Sequence, residues 1–171
     1  MTKLRKKQNR KKITSQSIIT ICEGYDGMRK IYQEALRESY KNEVLVYGTI
    51  SQDKNLEYHK KLYMIWRRMI EAKKVKMREI LDLTKENIQY IDWVKQFHNP
   101  NHQIKIIPKD LKFRPTTINV LEGDNIIYKN KVAFFSSYNK DLYVIIINNK
   151  HLVQIYRDLF EMSWAISKKY L

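Results

Sequence analysis

The chain has 171 residues, of which 43% are hydrophobic, and a formal net charge of +15 at pH 7. This length fits one domain with a substantial core, and no apolar run approaches the roughly 18–20 residues of a membrane-spanning helix. The N-terminus lacks the apolar stretch of a secretory signal, and the single cysteine, Cys22, excludes an intrachain disulfide. We therefore expect a cytoplasmic protein without a membrane span.

Basic residues are concentrated at the N-terminus. Residues 1–12 contain no acidic residue and seven basic ones, which are Lys3, Arg5, Lys6, Lys7, Arg10, Lys11 and Lys12. Such a segment binds phosphate backbones by releasing their counterions, although a solvated tail has the same composition. We expect residues 1–17 to form a basic, flexible arm and residues 18–171 to form one domain. Nucleic acid, an anionic membrane surface and no partner at all remain open as alternatives for the arm.

Strands and helices alternate over residues 18–107. Short apolar runs predict strands, and apolar residues at positions i, i+3, i+4 and i+7 predict amphipathic helices. The predicted strands are 18–22, 43–47, 75–81 and 103–107, and the predicted helices are 25–39, 56–73 and 84–97. This order is typical of strand–helix–strand units.

The C-terminal third is rich in predicted strands and ends in a helix. After a predicted loop at 109–115, the β-rich runs are 118–128, 132–136 and 142–147, with a hairpin turn at 129–131 where Asn130 tolerates positive φ. The last helix is predicted over 150–169, with Asn149 as its N-cap and an apolar stripe facing the core. That stripe consists of Leu152, Ile155, Tyr156, Leu159, Phe160 and Ile166. Together the elements predict an α/β domain with a mixed β-sheet flanked by helices.

Motifs for metals and cofactors are missing from the sequence. The four histidines, His59, His98, His102 and His151, form no HExxH pair, and a single cysteine cannot build a cysteine-rich zinc site. No glycine-rich loop for phosphates follows a predicted strand. We therefore predict neither a metal nor a cofactor.

Residues 122–139, followed by the last helix, resemble the end of a phospholipase D-type domain. In that superfamily a strand carries an HxK motif, an Asp follows near a hairpin turn, and GSxN closes the next strand. Here residues 136–139 (Ser-Ser-Tyr-Asn) stand at the GSxN position, so the His, Lys and Asp positions fall on Glu122, Asp124 and Lys129. The superfamily mechanism needs an imidazole nucleophile and cations that stabilise the phosphoryl oxygens. We therefore predict that the chain is not an enzyme.

The resemblance extends over residues 18–168 to the effector-sensing C-terminal domain of TrmB-like transcriptional regulators. The matching segments are Glu23 to Met28 with Ile31 and Tyr32, Glu43–Gly48, 66–68 with 74–78, 106–108, 131–136, and Arg157 to Phe160 with Trp164. The resemblance implies a phospholipase D-like fold, a regulatory function and a small-molecule effector. Family members carry a winged helix before this domain, and we expect none in the residues before position 18.

The resemblance also implies a ligand cleft at the strand ends and a homodimer, because phospholipase D-type domains pair through equivalent faces. We predict that the cleft is lined by Glu23, Gly24, Gly48, Glu122, Asp124 and Ser137. Two alternatives remain. One is a nucleic-acid-binding protein that uses charge alone, and the other is a divergent phosphodiesterase or nuclease, against which the missing histidine at position 122 argues.

Overall fold

The computed structural model of the chain describes residues 18–39, 43–48, 56–108, 124–138 and 141–170. The predicted arm, the predicted loop at 109–115, the first part of the run 118–128 and Glu122 lie outside these ranges.

Within the described residues the chain forms eight strands and four helices. The strands are β1 (Ile18–Glu23), β2 (Glu43–Gly48), β3 (Lys76–Leu81), β4 (His102–Ile106), β5 (Asn125–Tyr128), β6 (Lys131–Tyr138), β7 (Asp141–Asn148) and β8 (Lys168–Lys169). The helices are α1 (Gly24–Glu38), α2 (Leu56–Lys73), α3 (Lys85–Lys95) and α4 (Lys150–Ile166). None of these helices is long and apolar enough to cross a membrane.

All eight strands belong to one sheet with the order β1-β7-β6-β5-β2-β3-β4-β8. Strands β2, β3 and β4 are parallel, and the other pairs are antiparallel. The parallel strands are joined by helices, as a parallel connection requires, whereas β5, β6 and β7 form the predicted meander. The predicted α/β fold with a mixed sheet is therefore confirmed.

Helices cover both faces of the sheet. The apolar side of α1 packs with α2 against one face, in a core that includes Ile31, Leu36 and Trp66 from the helices and Val44 and Val46 from β2. The alternate residues of β2, Leu45 and Tyr47, face the other side and pack with Phe160 of α4. This alternation is the two-residue period of a strand buried on both faces.

The ends of the last helix differ in part from the prediction. Asn149 caps α4 as predicted, because its side chain accepts hydrogen bonds from the backbone of His151 and Leu152. The helix ends at Ile166, however, and the predicted last turn is instead strand β8, which pairs with β4. In the hairpin turn, the positive φ of 45° falls on Lys129 rather than on Asn130.

Part of the predicted apolar stripe of α4 does not face the core. Phe160 is fully buried and Tyr156 packs against the same core, but Ile155, Leu159 and Ile166 are exposed. The sheet contacts only the side of the helix that carries Val153, Phe160 and Ser163. The apolar face of α4 is therefore wider than the surface that the sheet covers.

Candidate functional site

The predicted ligand residues that the structure describes lie at one end of the sheet. Glu23, the last residue of β1, pairs with Tyr143 of β7, which pairs with Ser136 of β6. Asp124 directly precedes β5 and lies beside Gly48, the last residue of β2. The predicted residues on these strands therefore lie at the same end of the sheet.

The structure brings only some of these residues close together. Glu23 and Gly24 are separated from Asp124 by three strand spacings, which is roughly 14 Å. Gly24 instead begins α1 with a φ of 70°, a conformation that favours glycine. Glu122 and the side chain of Ser137 lie outside the described part of the structure.

Gly48 is the point where two carboxylates approach each other. A Cβ atom on Gly48 would lie 3.1 Å from Oε1 of Glu79 and 3.5 Å from Oδ1 of Asp124. It would also lie 2.6 Å from Cδ2 of Leu81. Because Gly48 has no side chain, the carboxylates of Glu79 and Asp124 can both lie next to it. We call these two acids the carboxylate pair.

Asp124 is held from the helix layer. The hydroxyl of Tyr32, on α1, donates a hydrogen bond to its carboxylate. Burial of the phenol, together with the charges of Asp124 and Glu79, raises the pKa of Tyr32 well above the ordinary value of 10.0. Tyr32 therefore remains a hydrogen-bond donor at neutral pH.

The carboxylate of Glu79 is buried and is hydrogen-bonded within a network of side chains. Its Oε2 accepts a hydrogen bond from the hydroxyl of Tyr90 at 3.2 Å and contacts Nε2 of His102 at 2.9 Å. The hydroxyl of Tyr63 lies 3.4 Å from the other ring nitrogen of His102. Both nitrogens of this histidine therefore face internal partners, which argues for a structural role.

A buried donor lies in the same layer. The indole Nε1 of Trp66 makes no hydrogen bond to the described residues, although Trp66 is only 2% exposed. Its ring meets the ring of Tyr32 edge-on with 4.3 Å between centroids. Buried polar groups without partners are uncommon in proteins, so this donor distinguishes Trp66 from the rest of the core.

A second polar region lies along one lateral edge of the sheet, where β8 is the last strand and pairs with β4. Lys105 of β4 pairs with Lys169 of β8, and Ile106 pairs with Lys168. The ammonium of Lys105 lies 4.6 Å from the ring centroid of Trp164. We call this region the basic edge, and its residues are Lys95, Lys105, Trp164, Lys168, Lys169 and Tyr170.

Two cavities flank Tyr170 at the basic edge. One, of about 370 Å³, is lined by Ile91, Val94, Lys95, His98, Asn99, Pro100, His102, Ile104 and Tyr170. The other, of about 410 Å³, is lined by Gln103, Ile104, Lys105, Trp164, Lys169 and Tyr170. None of the described residues that line either cavity is acidic. The ammonium of Lys95 lies 4.5 Å from the ring centroid of Tyr170, so each of the two aromatic rings of this edge contacts a lysine.

The sequence carried a signal for the carboxylate pair but none for the basic edge. Glu79 is a charged residue between Met77 and Leu81 on the buried face of β3, and a carboxylate at that spacing points into a core. The basic edge depends on the pairing of β8 with β4, and residues 168–169 read as helical from local sequence. Among the described residues, no group of three or more possible metal ligands comes together.

The fold is similar to known structures, whereas no family model and no curated protein matches the sequence. TrmBL2, an archaeal chromatin protein whose structure shows a novel mode of DNA binding, is 16% identical, with a TM-score of 0.58 over 89% of this chain. The chain spans 53% of TrmBL2. NucT from Helicobacter pylori is 9% identical, with a TM-score of 0.58 over 91% of this chain and 100% of that chain. Nuc from Salmonella typhimurium, a phospholipase D family member, is 12% identical, with a TM-score of 0.57 over 91% of this chain and 99% of that chain.

These neighbours correct one prediction. The prediction that the chain is not an enzyme is wrong, because the fold is shared with Nuc, a phospholipase D family member, and with NucT, as well as with TrmBL2. The predicted homodimer and the predicted effector remain predictions. What the similarities establish is the fold, and this chain has a phospholipase D-like fold.

Proposed function

We propose that the chain is a nucleic-acid-binding regulatory domain, of the kind that its resemblance to TrmB-like regulators implies. The observation that carries the proposal is the basic edge, where three lysines and two aromatic rings line two cavities without a described acidic residue in their linings. The net charge of +15 favours a polyanionic partner. The similarity of fold to TrmBL2, whose structure shows DNA binding, supports the same class of partner.

The chemistry of the basic edge suits a nucleic-acid strand. Lys168 and Lys169 are exposed, and exposed ammonium groups neutralise phosphates and release counterions. The ring of Tyr170 borders both cavities, and aromatic rings beside basic residues are typical of sites that stack unpaired bases. We therefore expect single-stranded DNA or RNA to bind at this edge with little sequence preference.

The carboxylate pair makes the strand end a poor place for phosphates. Asp124 stands at the position where the resemblance to phospholipase D-type domains expects a lysine, and Glu79 lies beside it. Negative charge at this short range disfavours an anion. The proposed nucleic-acid site therefore lies at the side edge of the sheet and not at the strand ends.

The test compares two double variants that lose the same charge. Lys168→Gln with Lys169→Gln removes two cations from the basic edge, whereas Lys30→Gln with Lys150→Gln removes two exposed cations from α1 and α4. Binding of a fluorescent oligothymidine should weaken in the first variant, and the slope of log K against log salt should fall by about 1.4 for two lost phosphate contacts on a single strand. Equal effects of the two variants would contradict the basic edge as the site.

A single variant separates stacking from charge. Tyr170→Ala keeps all lysines and removes the ring between the two cavities. We expect it to weaken oligothymidine binding by roughly 1–3 kcal/mol, the contribution of one stacked base, without changing the salt slope. Unchanged affinity would exclude stacking on Tyr170.

The second candidate function is the binding of a small polar effector near the carboxylate pair. It is favoured by two observations: the buried Nε1 of Trp66 makes no hydrogen bond to the described residues, and the ring of Trp66 meets the ring of Tyr32, whose hydroxyl donates to Asp124. A ligand that donates to the carboxylates and accepts from the indole fits this arrangement. We expect putrescine or glucose, but not inorganic phosphate, to raise the Tm, and Asp124→Asn to abolish the shift while Asp92→Asn, an exposed control, preserves it. No shift with either compound in the wild type would argue against these two probes as models of the effector.

A further inference from the structure

One of the two cavities at the basic edge has a mostly apolar lining. This cavity, of about 370 Å³, is lined by the apolar residues Ile91, Val94, Pro100 and Ile104 and by the aromatic Tyr170, besides a few polar residues. We call it the apolar cavity. Binding sites for small organic groups are typically apolar cavities of this size that carry a few polar groups. The apolar cavity therefore suits a flat organic ring better than a phosphate.

The neighbouring cavity supplies cations. Lys105 and Lys169 line it, and Ile104 and Tyr170 line both cavities. A nucleotide has two corresponding parts, because an anionic phosphate and a flat, uncharged base are joined through one sugar. A strand whose phosphates lie at the two lysines can therefore place an unpaired base in the apolar cavity.

Most polar atoms around the apolar cavity are not accessible to a ligand. Nε2 of His102 lies 2.9 Å from the carboxylate of Glu79, and Nδ1 lies 3.4 Å from the hydroxyl of Tyr63. The amide nitrogen of Asn99 is buried from solvent. The ammonium of Lys95, in contrast, belongs to an exposed residue of the lining and is a hydrogen-bond donor.

His98 supplies a hydrogen-bond acceptor. It is exposed and lines the apolar cavity, and its Nδ1 lies 3.1 Å from the backbone carbonyl oxygen of Gln96. Because a carbonyl oxygen only accepts, Nδ1 is the donor of this bond, and Nε2 of the neutral ring is then an acceptor. The apolar cavity therefore combines one acceptor, Nε2 of His98, with one donor, the ammonium of Lys95.

The backbone of His98 indicates that its side chain has a function. Its φ is 48°, in the left-handed region where glycine is less strained than a residue with a Cβ atom. Backbone strain of this kind is concentrated at functional sites. The imidazole therefore stands beside the cavity at a cost in stability, which is expected if the ring contacts a ligand.

We infer that the apolar cavity binds the base of one thymidine or uridine within a single strand. These two bases present an N–H between two carbonyl groups, so the N–H donates to Nε2 of His98 while a carbonyl accepts from Lys95. Cytosine has an acceptor nitrogen in place of this N–H and leaves Nε2 without a donor. The inference rests on the proposed binding of nucleic acid at the basic edge. Because contacts to phosphates and stacking on an aromatic ring carry little sequence information, the preference arises in this cavity alone.

The experiment compares oligonucleotides of equal length and charge. Fluorescence anisotropy at pH 8, where histidine is generally neutral, measures the affinity of the chain for oligothymidine and for oligodeoxycytidine. Oligothymidine should bind roughly threefold to tenfold more tightly, which is the effect of one hydrogen bond. Oligothymidine methylated at every N3 keeps both carbonyls and all phosphates but lacks the N–H, and it should bind no better than oligodeoxycytidine.

A glycine variant tests His98 itself. In His98→Gly the ratio of the two affinities should fall to about 1, whereas His151→Ala, which removes an exposed histidine of α4, should preserve the wild-type ratio. The Tm of His98→Gly should not fall, because glycine adopts the positive φ with less strain. Lys168→Gln with Lys169→Gln should weaken the binding of both oligonucleotides by the same factor and leave the ratio unchanged.

Three results would each overturn the inference. They are equal affinity of the wild type for oligothymidine and oligodeoxycytidine, undiminished binding of the methylated oligothymidine, and an unchanged ratio in His98→Gly. In all three cases the proposed function still holds if Lys168→Gln with Lys169→Gln weakens binding. A wild type that binds neither oligonucleotide contradicts the proposed function, and this inference with it.

Discussion

The ammonium of Lys105 is fixed by Trp164 in two ways. It donates a hydrogen bond of 2.7 Å to the backbone carbonyl of Trp164 and lies 4.6 Å from the centroid of the indole ring of the same residue. Lys105 therefore joins β4 to the C-terminal part of α4, next to the point where β8 begins. Among the cations of the basic edge it contributes to the structure as well as to the charge.

Lys105→Gln should lower the stability of the protein. The change removes a charge-assisted hydrogen bond and a cation–π contact, and we expect the free energy of unfolding to fall by about 1–3 kcal/mol. Urea unfolding followed by tryptophan fluorescence measures this difference. Lys85→Gln, at an exposed position, is the control and should change stability by less than about 0.5 kcal/mol. Equal stability of the two variants would mean that the contact to Trp164 contributes nothing.

Gly48→Ala tests how closely the carboxylate pair packs. The new Cβ atom would lie 2.6 Å from Cδ2 of Leu81 and 3.1 Å from Oε1 of Glu79, so both side chains must move. We expect a loss of about 1–3 kcal/mol in the free energy of unfolding, as for other overpacked cores. If Leu81 makes the clash, the double variant Gly48→Ala with Leu81→Ala should lose less stability than the sum of the losses in the two single variants. Additive effects in this pair would show that Leu81 does not make the clash.

Stability should depend on pH through Glu34. Burial alone would raise the pKa of this carboxyl, but hydrogen bonds from Lys131 at 2.6 Å and Tyr128 at 2.9 Å outweigh it and lower the pKa below the ordinary value of 4.5. The unfolded chain therefore binds a proton before the folded protein does, and stability falls as the pH drops below about 4.5. Glu34→Gln should make the decrease between about pH 5 and pH 3 smaller.

A surface ion pair provides the comparison for Glu34. Glu71 pairs with Arg67 at 2.8 Å across one turn of α2, and exposed pairs of this kind contribute little. Glu71→Gln should leave the pH profile nearly unchanged. If the two variants give the same profile, the partly buried contacts of Glu34 do not account for the acid sensitivity.

The fold could be predicted to the extent that local patterns determine it. The buried side of α1 follows directly from the spacing of Met28, Ile31, Tyr32, Ala35 and Leu36. Strand β8 could not be predicted, because residues 168–169 continue a helical pattern and become a strand only by pairing with β4. The exposed stripe of α4 has the same origin, since an apolar spacing does not tell how much of a helix the sheet covers.

The candidate sites depend even more on contacts between distant parts of the chain. Gly48 and Asp124 were predicted at the strand ends, but Tyr32, which holds Asp124, lies 92 positions before it. The basic edge combines Lys95 of α3, Lys105 of β4 and Lys169 of β8, and no local pattern links these positions. The number of lysines and arginines predicts a polyanionic partner. The surface that binds this partner can be located only from the strand order of the sheet.

The last prediction concerns the seven basic residues of the segment 1–12, which lies outside the described structure. Contacts from such a segment to duplex DNA are made to phosphates and carry little sequence information. If about five phosphates are neutralised, the slope of log K against log salt should be near −4 to −5. Deleting residues 1–12 should flatten this slope and weaken binding to all sequences alike, which fluorescence anisotropy between low and physiological salt measures.

The remaining residues still hold 26 basic and 18 acidic side chains, so weak binding through the basic edge should survive the deletion. In the truncated chain, this weak binding should be lost when Lys168→Gln and Lys169→Gln are added. It should persist when Lys30→Gln and Lys150→Gln are added instead. If the 171-residue chain shows no salt-sensitive binding to DNA or RNA, even at low salt, this charge has no role in nucleic-acid binding.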